Sequence, residues 1–224
     1  MTMNTKRNLI AATLTLVLSG PAVLSMATAH AAGPQGGKQV QVQPLNADEA
    51  ATLTFMREEE KLARDIYLAM DQAWGLPPFG NIAVSEQKHM DAIKALLDKY
   101  RLADPALSEI GAFNDLELLQ LYGDLLVRGQ VSYLEALQVG GLIEEVDIED
   151  LENAIDATTH ADLAQTYASL MCGSRNHLRA FAATIEAQGV AYEAQYLDQE
   201  VVDAIIDSPM ERGGACGAGG GGKR

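Results

Sequence analysis

The chain has 224 residues, with 16 Lys and Arg against 31 Asp and Glu and a net charge of −15. A surface that acidic repels phosphate backbones, which argues against a nucleic-acid partner, and it is compatible with attracting cations or with simple solubility. Two cysteines, Cys172 and Cys216, are too few for a four-thiolate zinc or rubredoxin-type iron site, and they leave a structural disulfide open.

Lys6 and Arg7 precede an apolar run from Leu9 to Leu24, and Ala29-His30-Ala31 is a small-x-small cleavage signal. Residues 1–31 therefore read as a secretory signal peptide and not as a transmembrane helix. Thr5-Lys6-Arg7-Asn8-Leu9-Ile10 resembles a twin-arginine export signal with Lys in place of the first Arg. Cleavage near Ala31 leaves 193 residues with a charge of −17, exported to the periplasm or secreted. No second long apolar run follows, so no membrane association is expected after cleavage. Residues 32–45 (AGPQGGKQVQVQPL) read as a flexible linker, and the glycine-rich residues 209–224 as a disordered tail. Residues 46–208 are of a size for one domain.

That domain is patterned for helix nearly throughout, with no two-residue alternation. The first helix is predicted from about Ala47 to Trp74, along the seam Leu53, Met56, Glu60, Ala63, Tyr67, Met70, Trp74, and Gly75-Leu76-Pro77-Pro78 ends it. The second runs from about Asn81 to Tyr100, with the seam Ile82, Glu86, His89, Ile93, Leu96, Tyr100. A short Leu-rich helix, about Leu116 to Val127, belongs to a long connection. Ser132 and Glu135 read as a capping box for the third main helix, whose seam is Leu134, Leu137, Gly141, Glu144, Ile148, Leu151, Ile155. Thr159 and Asp162 are expected to cap the fourth in a similar way, with the seam Leu163, Tyr167, Leu170, Ser174, His177, Phe181, Thr184. A short helix from Asp198 to Asp207 follows. The expected fold is all-α: a four-helix bundle with a long crossover between the second and third main helices, carrying the extra short helix.

Each oily seam is broken by polar side chains near mid-helix: Glu60; Glu86 with His89; Glu144 with Asp147 beside it; Ser174 with His177. An unpaired buried charge costs several kcal/mol, and a domain has only about 5–15 kcal/mol in hand. Facing one another, these acids need cations between them, and carboxylate oxygens and imidazole nitrogens are good first-row metal ligands. Residues three apart share a helix face, so Glu86-x-x-His89 can reach one ion with both side chains. One Glu from each of two helices with Glu-x-x-His from each of two others is the pattern of carboxylate-bridged di-iron bundles.

The motif Glu60-Lys-Leu-Ala63-Arg64-Asp-Ile-Tyr67 resembles E-x-x-A-R-x-x-Y of rubrerythrins, and Ile82-Ala83-Val-Ser-Glu86-Gln-Lys-His89 resembles their second-helix motif. Residues 50–197, including SRNHLRAF at 174–181, are more closely similar to a ferritin-like family of unassigned function, domain-of-unknown-function family 2202. The resemblance implies a ferritin-like bundle with two divalent metal ions, iron foremost and manganese or zinc as other occupants. It implies metal ligands at Glu60, Glu86, His89, Glu144 and His177. Position 174 departs from the pattern, Ser standing where Glu is expected; Asp147 could supply the missing oxygen, as a ligand or from behind one, or water could, or one metal position could be lost. Tyr67 and Ser174 are candidates to support the ligands. The functional expectation is an exported metalloprotein that oxidises iron(II) or reduces peroxide or oxygen, with metal ions and small oxidants as partners and a homo-oligomer possible. The alternative is a non-catalytic metal-binding or interaction module with a vestigial site, which Ser174 favours.

Other acids have less claim. Glu59 competes with Glu60, because Phe55, Leu62 and Ile66 form a second apolar line beside it, and register favours Glu60. Glu58 is expected in solvent, Glu145 on a polar face with Gln138, Glu149 and Glu152, and His160 exposed. The acidic run Glu144–Glu152 reads as mostly solvated. Tyr167 is expected in the core with its hydroxyl satisfied.

Overall fold

In the computed structural model, residues 43–212 are described; residues 1–42, which include the segment read as a signal peptide and most of the expected linker, and residues 213–224 of the expected glycine-rich tail lie outside them. Among the described residues there are six helices and no strand: α1 (Ala47–Trp74), α2 (Phe79–Tyr100), α3 (Leu116–Gly129), α4 (Tyr133–Ala157), α5 (Ala161–Glu186) and α6 (Gln199–Ile206). None is long and apolar enough to cross a membrane.

Local chemistry sets the helix ends. Asn46 caps α1 in a reciprocal box: its side chain accepts from Glu49 N, and the Glu49 carboxylate accepts from Asn46 N. Gly75, at φ 60°, closes α1 in the left-handed conformation that glycine adopts without strain. Ser132 accepts from Glu135 N, but only that half of the expected box forms, because the Glu135 carboxylate turns to Arg128. Thr159 and Asp162 do not cap α5. Its N-cap is His160, with no side-chain capping bond, and Asp162 is occupied by Lys99 and the Tyr100 hydroxyl. Helix α2 begins two residues before the expected start and α3 ends two beyond the expected stop.

The main packing pairs are α1 with α2 and α4 with α5; α3 lies against α1 and α4, and α6 against α5. The crossover between α2 and α4, residues 101–132, is fastened to α1 by buried acids and a buried lysine. Glu58, far from solvated, is 4% exposed and accepts from Asn114 N and Asp115 N. Lys61, fully buried, donates to Asp65 and to the Glu109 carbonyl, and Gly111 N donates to the same Asp65. Glu145, expected on a polar face, is also fully buried: it accepts from the Tyr192 hydroxyl and from the amides of Gln195, Tyr196 and Leu197, fixing the strap that follows α5. Cys172 is buried on α5 and disulfide-bonded; Cys216 lies outside the described residues. Tyr167 is buried as expected, but its hydroxyl has no hydrogen-bond partner among the described residues.

The apolar core comes in two pieces. One gathers Tyr67, Met70, Phe79, Ile82, Leu137, Leu178 and Phe181. The other gathers Leu53, Met56, Ile93, Leu97, Leu151, Leu163, Tyr167 and Leu170. Along α1 and α5, as along α2 in the opposite sense, the chain leaves one piece and enters the other at the level of residues 60, 86–89 and 174–177; along α4 it does so just past Glu144 and Asp147, between Ile148 and Leu151. A polar layer therefore divides the core at mid-height.

Glu49 also ties the start of α1 to the start of α5, accepting from the Thr158 hydroxyl and Thr159 N and lying 2.9 Å from His160 Nδ1. His160 is thus half-buried and not exposed. Burial alone would raise the Glu49 pKa, but the contact with His160 and the bonds from Asn46, Thr159 and Thr158 prevail and hold it at about 2, against an ordinary 4.5. A depressed carboxylate stabilises the fold fully above its unfolded pKa and loses that contribution as pH falls toward its folded one. Glu49→Gln is expected to cost about 1–2 kcal/mol at neutral pH. The gap in melting temperature from the parent should stay constant above pH 5 and close as pH falls toward 2, read by calorimetry across that range; a gap independent of pH would refute the assignment.

Candidate metal centre

The polar layer is built from four helices. Helix α1 supplies Glu60 (1% exposed), α2 supplies Glu86 (1%) and His89, α4 supplies Glu144 and Asp147, and α5 supplies Ser174 and His177; all are buried. The three-residue spacing of Glu86 and His89, and of Glu144 and Asp147, puts each pair on one face of its helix. Every site residue expected from the sequence is brought into this layer or against it.

Glu86 stands at the centre. Its Oε2 lies 2.8 Å from His89 Nδ1, and its Oε1 lies 2.7 Å from His177 Nδ1. His89 Nδ1 is also 3.2 Å from Glu60 Oε2, and His177 Nδ1 is 3.4 Å from Glu144 Oε2. Two three-donor groups result, Glu60–Glu86–His89 and Glu86–Glu144–His177, and within each the ligand atoms lie within 4.8 Å of one another. The two imidazoles stack with centroids 5.5 Å apart.

Short approach is not the same as hydrogen bonding here. Glu86 Oε1 and His177 Nδ1 are close but lack hydrogen-bond alignment, and both are without a hydrogen-bond partner among the described residues, as are Glu60 Oε1 and Asp147 Oδ1. Buried polar atoms are normally satisfied. Unsatisfied oxygens and a nitrogen converging from four helices fit cations. The charges agree: four carboxylates (Glu60, Glu86, Glu144, Asp147) with neutral imidazoles are balanced by two divalent ions.

The titration of the bare cluster expresses the same conflict. Burial drives Glu60 up; His89 opposes it, Glu86 adds to it, and the result is about 7. Burial would raise Glu86 too, but His177 and His89 pull it well below the usual carboxylate range. Burial would lower His177, yet Glu86 and Glu144 hold it at about 10, and Glu60 and Glu86 likewise raise His89. Burial, then the charges of Glu60 and Glu144, push Asp147 well up. Without metal, the rings serve as counter-ions to the acids.

Two supports hold the ligands. The Tyr67 hydroxyl donates to Glu144 Oε1 at 2.6 Å, and burial with the Glu144 charge keeps Tyr67 a phenol by raising its pKa. Ser174 donates to Asp147 Oδ2 and sits 3.1 Å from the Leu170 carbonyl oxygen. The residue that breaks the expected Glu-x-x-His on α5 therefore orients the acid best placed to replace it. Arg64 reaches Asp65 and Gln87, and Arg175 reaches Glu211, so neither touches the layer acids.

Sequence reasoning missed Gly173. A Cβ there would lie 2.5 Å from His89 Nε2 and 2.7 Å from Cε1, so the bare backbone of α5 is the seat of the His89 ring. A glycine inside a helix, at a cost of about 1 kcal/mol relative to alanine, was the available signal.

Residues 49–209 match the domain family described as "Uncharacterized protein domain (DUF2202)". The uncharacterized protein MJ0754 of Methanocaldococcus jannaschii is 46% identical over 172 residues, covering 76% of this chain and 93% of that protein. The crystal structure of hypothetical protein MJ0754 from Methanococcus jannaschii aligns with a TM-score of 0.75 at 44% identity, over 78% of this chain and all of that one. These descriptions name no activity.

Gly173→Ala is expected to displace the His89 ring and weaken divalent-metal binding at the Glu60–Glu86–His89 group by about tenfold or more, about 1.4 kcal/mol, while the Glu86–Glu144–His177 group keeps its affinity. Calorimetric titration with manganese(II) would resolve two unequal steps. Two unchanged steps in a protein made more stable by the alanine would remove any positioning role.

Proposed function

The chain belongs to the DUF2202 family, and from that premise we propose that it is an exported ferritin-like metalloprotein whose bundle core holds a pair of divalent metal ions, iron foremost. The observation that carries this reading is Glu86: one carboxylate, buried at mid-core, whose two oxygens face two different imidazoles and enter both donor groups. Two helical pairs, α1/α2 and α4/α5, joined by a long crossover carrying α3, are compatible with the ferritin-like arrangement.

Glu60, Glu86, His89, Glu144 and His177 would hold the metals, with Asp147 closing the side that Ser174 leaves without a carboxylate. Iron bound there supplies one-electron redox chemistry toward iron(II), peroxide or oxygen. The chain's own contributions are separable. The four carboxylates compensate charge, so the ions rest in an otherwise apolar interior. The apolar pieces above and below limit water to the polar layer. The Tyr67 phenol keeps its proton on the bond to Glu144 and fixes that carboxylate's orientation. Export, from the basic, apolar and small-x-small segments of residues 1–31, places this chemistry in the periplasm or outside the cell.

Ser174 supports a second reading, in which a vestigial site holds zinc or manganese without turnover. Exposing purified mature protein to iron(II) in air separates the two. The redox reading expects about two irons per chain after desalting and growth of ferric absorbance. Glu86→Gln should abolish binding at both positions, whereas Glu60→Gln should spare one. Retained zinc without peroxide or oxygen turnover under reductant would support the second reading. Retention of fewer than about one metal per chain, with no ferric signal, would remove the redox reading.

A further inference from the structure

Among the described residues no cysteine is free: Cys172, buried on α5, is disulfide-bonded. Cys216 is the other cysteine of the sequence, so within one chain it is the partner. An independent set of contacts brings the C-terminal segment to the same helix. Two arginines of α5 grip Glu211: Arg175 Nε and Nη2 donate to its two carboxylate oxygens at 2.7 and 2.6 Å, and Arg179 Nη2 donates to Oε1 at 3.0 Å. The Asn176 side chain pairs with the Glu211 backbone, donating to its carbonyl at 3.1 Å and accepting from its N–H at 2.9 Å. Arg179 also donates to Ser208 Oγ at 2.7 Å. Arg175 lies only about 4.5 Å along α5 from Cys172, at 1.5 Å per residue, and the stretch of chain from Glu211 to Cys216 can reach up to about 17 Å. The clamp on Glu211 therefore keeps Cys216 within reach of Cys172. Glu211 and Cys216 both lie past residue 209, where the match to the domain family ends.

We propose that residues 208–216 form a redox-locked strap on α5, fastened by a Cys172–Cys216 disulfide and by Glu211 in the Arg175–Arg179 clamp, and that the strap locks under oxidising conditions and loosens on reduction. Each fastening needs the other. The Arg175–Glu211 pair is partly exposed, at 22% and 19% for the two side chains, and such pairs hold little by themselves because water screens them. A bond from a glycine-rich tail to a buried sulfur forms slowly unless the tail is already held nearby, and the clamp supplies that effective concentration. The bond forms by thiol–disulfide exchange: a small-molecule or protein disulfide takes two electrons from the Cys172 and Cys216 thiols, which give up their protons, and is itself reduced to two thiols. The closed ring, residues 172–216, contains Gly173, Ser174 and His177, so the lock acts on the part of α5 that contributes to the polar layer. It rests on the reading of the protein as exported, since disulfides persist in oxidising compartments, but not on the central metals.

Peptide mapping of the exported chain, digested without reductant, should show one linked pair of peptides containing Cys172 and Cys216, lighter by two hydrogens than the separate peptides. Under native conditions trypsin can cut after the exposed Arg212, and the tail beyond that cut should stay attached until dithiothreitol is added. Cys216→Ser should speed the cut by about tenfold or more, because the strap opens more often, and should release the tail at once. Arg175→Ala should also speed the cut while the tail stays attached. It should slow regeneration of the bond from reduced protein and oxidised glutathione by about threefold or more, through the lost effective concentration. Two free thiols in the exported chain, a bond that joins two chains, or a cut after Arg212 no faster in Cys216→Ser than in the parent would overturn the proposal. None of these outcomes depends on whether the polar layer binds metal, so the two readings fail separately.

Discussion

Four carboxylates meet at one level inside a helical protein, and everything else in the architecture accommodates that. Left bare, Glu60, Glu86, Glu144 and Asp147 oppose one another across distances at which solvent cannot screen them. His89 and His177 offset part of the charge, and their raised pKa values record how strongly they are drawn into doing so. The protein keeps this layer at a cost of several kcal/mol per unpaired ion, within a total stability of about 5–15 kcal/mol. An apolar layer at the same level would join the two core pieces and fold more easily. The layer's existence is therefore the strongest physical argument that a ligand occupies it.

Burial alone does not make a ligand, and this chain shows the difference. Glu49, Glu58, Asp65 and Glu145 are all buried. Each is surrounded by donors: amides of the crossover for Glu58, Lys61, Arg64 and Gly111 for Asp65, the strap amides and Tyr192 for Glu145, and the Thr158–His160 turn for Glu49. These acids replace missing backbone partners and hold loops against helices. In the layer, Glu60, Glu86 and Asp147 each keep an oxygen with no hydrogen-bond partner among the described residues. Donor count, not depth, separates structural carboxylates from chemical ones.

Helix α1 explains why the two kinds were hard to tell apart beforehand. Residues Glu58, Glu59, Glu60 and Lys61 point in four directions, and all four are buried. A surface helix has a polar face that charge identifies, but α1 is covered by α2, α3, α4 and the crossover. Its polar face is therefore interior, and the inference that Glu58 lies in solvent fails for that reason. Glu145 and His160 depart from the sequence expectation on the same ground: their partners, residues 192–197 and Glu49, lie 47 or more positions away in the chain.

Periodicity by itself determined the helices, their order, the long connection with its extra turn of structure, and the seam positions Glu60, Glu86, His89, Glu144 and His177. It could do so because steps of three and four fix which residues share a face, whatever that face meets. Tertiary structure alone decided what the seams meet: that Glu86 is common to both donor groups, that Ser174 orients Asp147, that Tyr67 holds Glu144, and that Gly173 seats His89. Each of these depends on the axial register and rotation of one helix against another, which are set by packing between residues distant in the chain and leave no periodic trace along it.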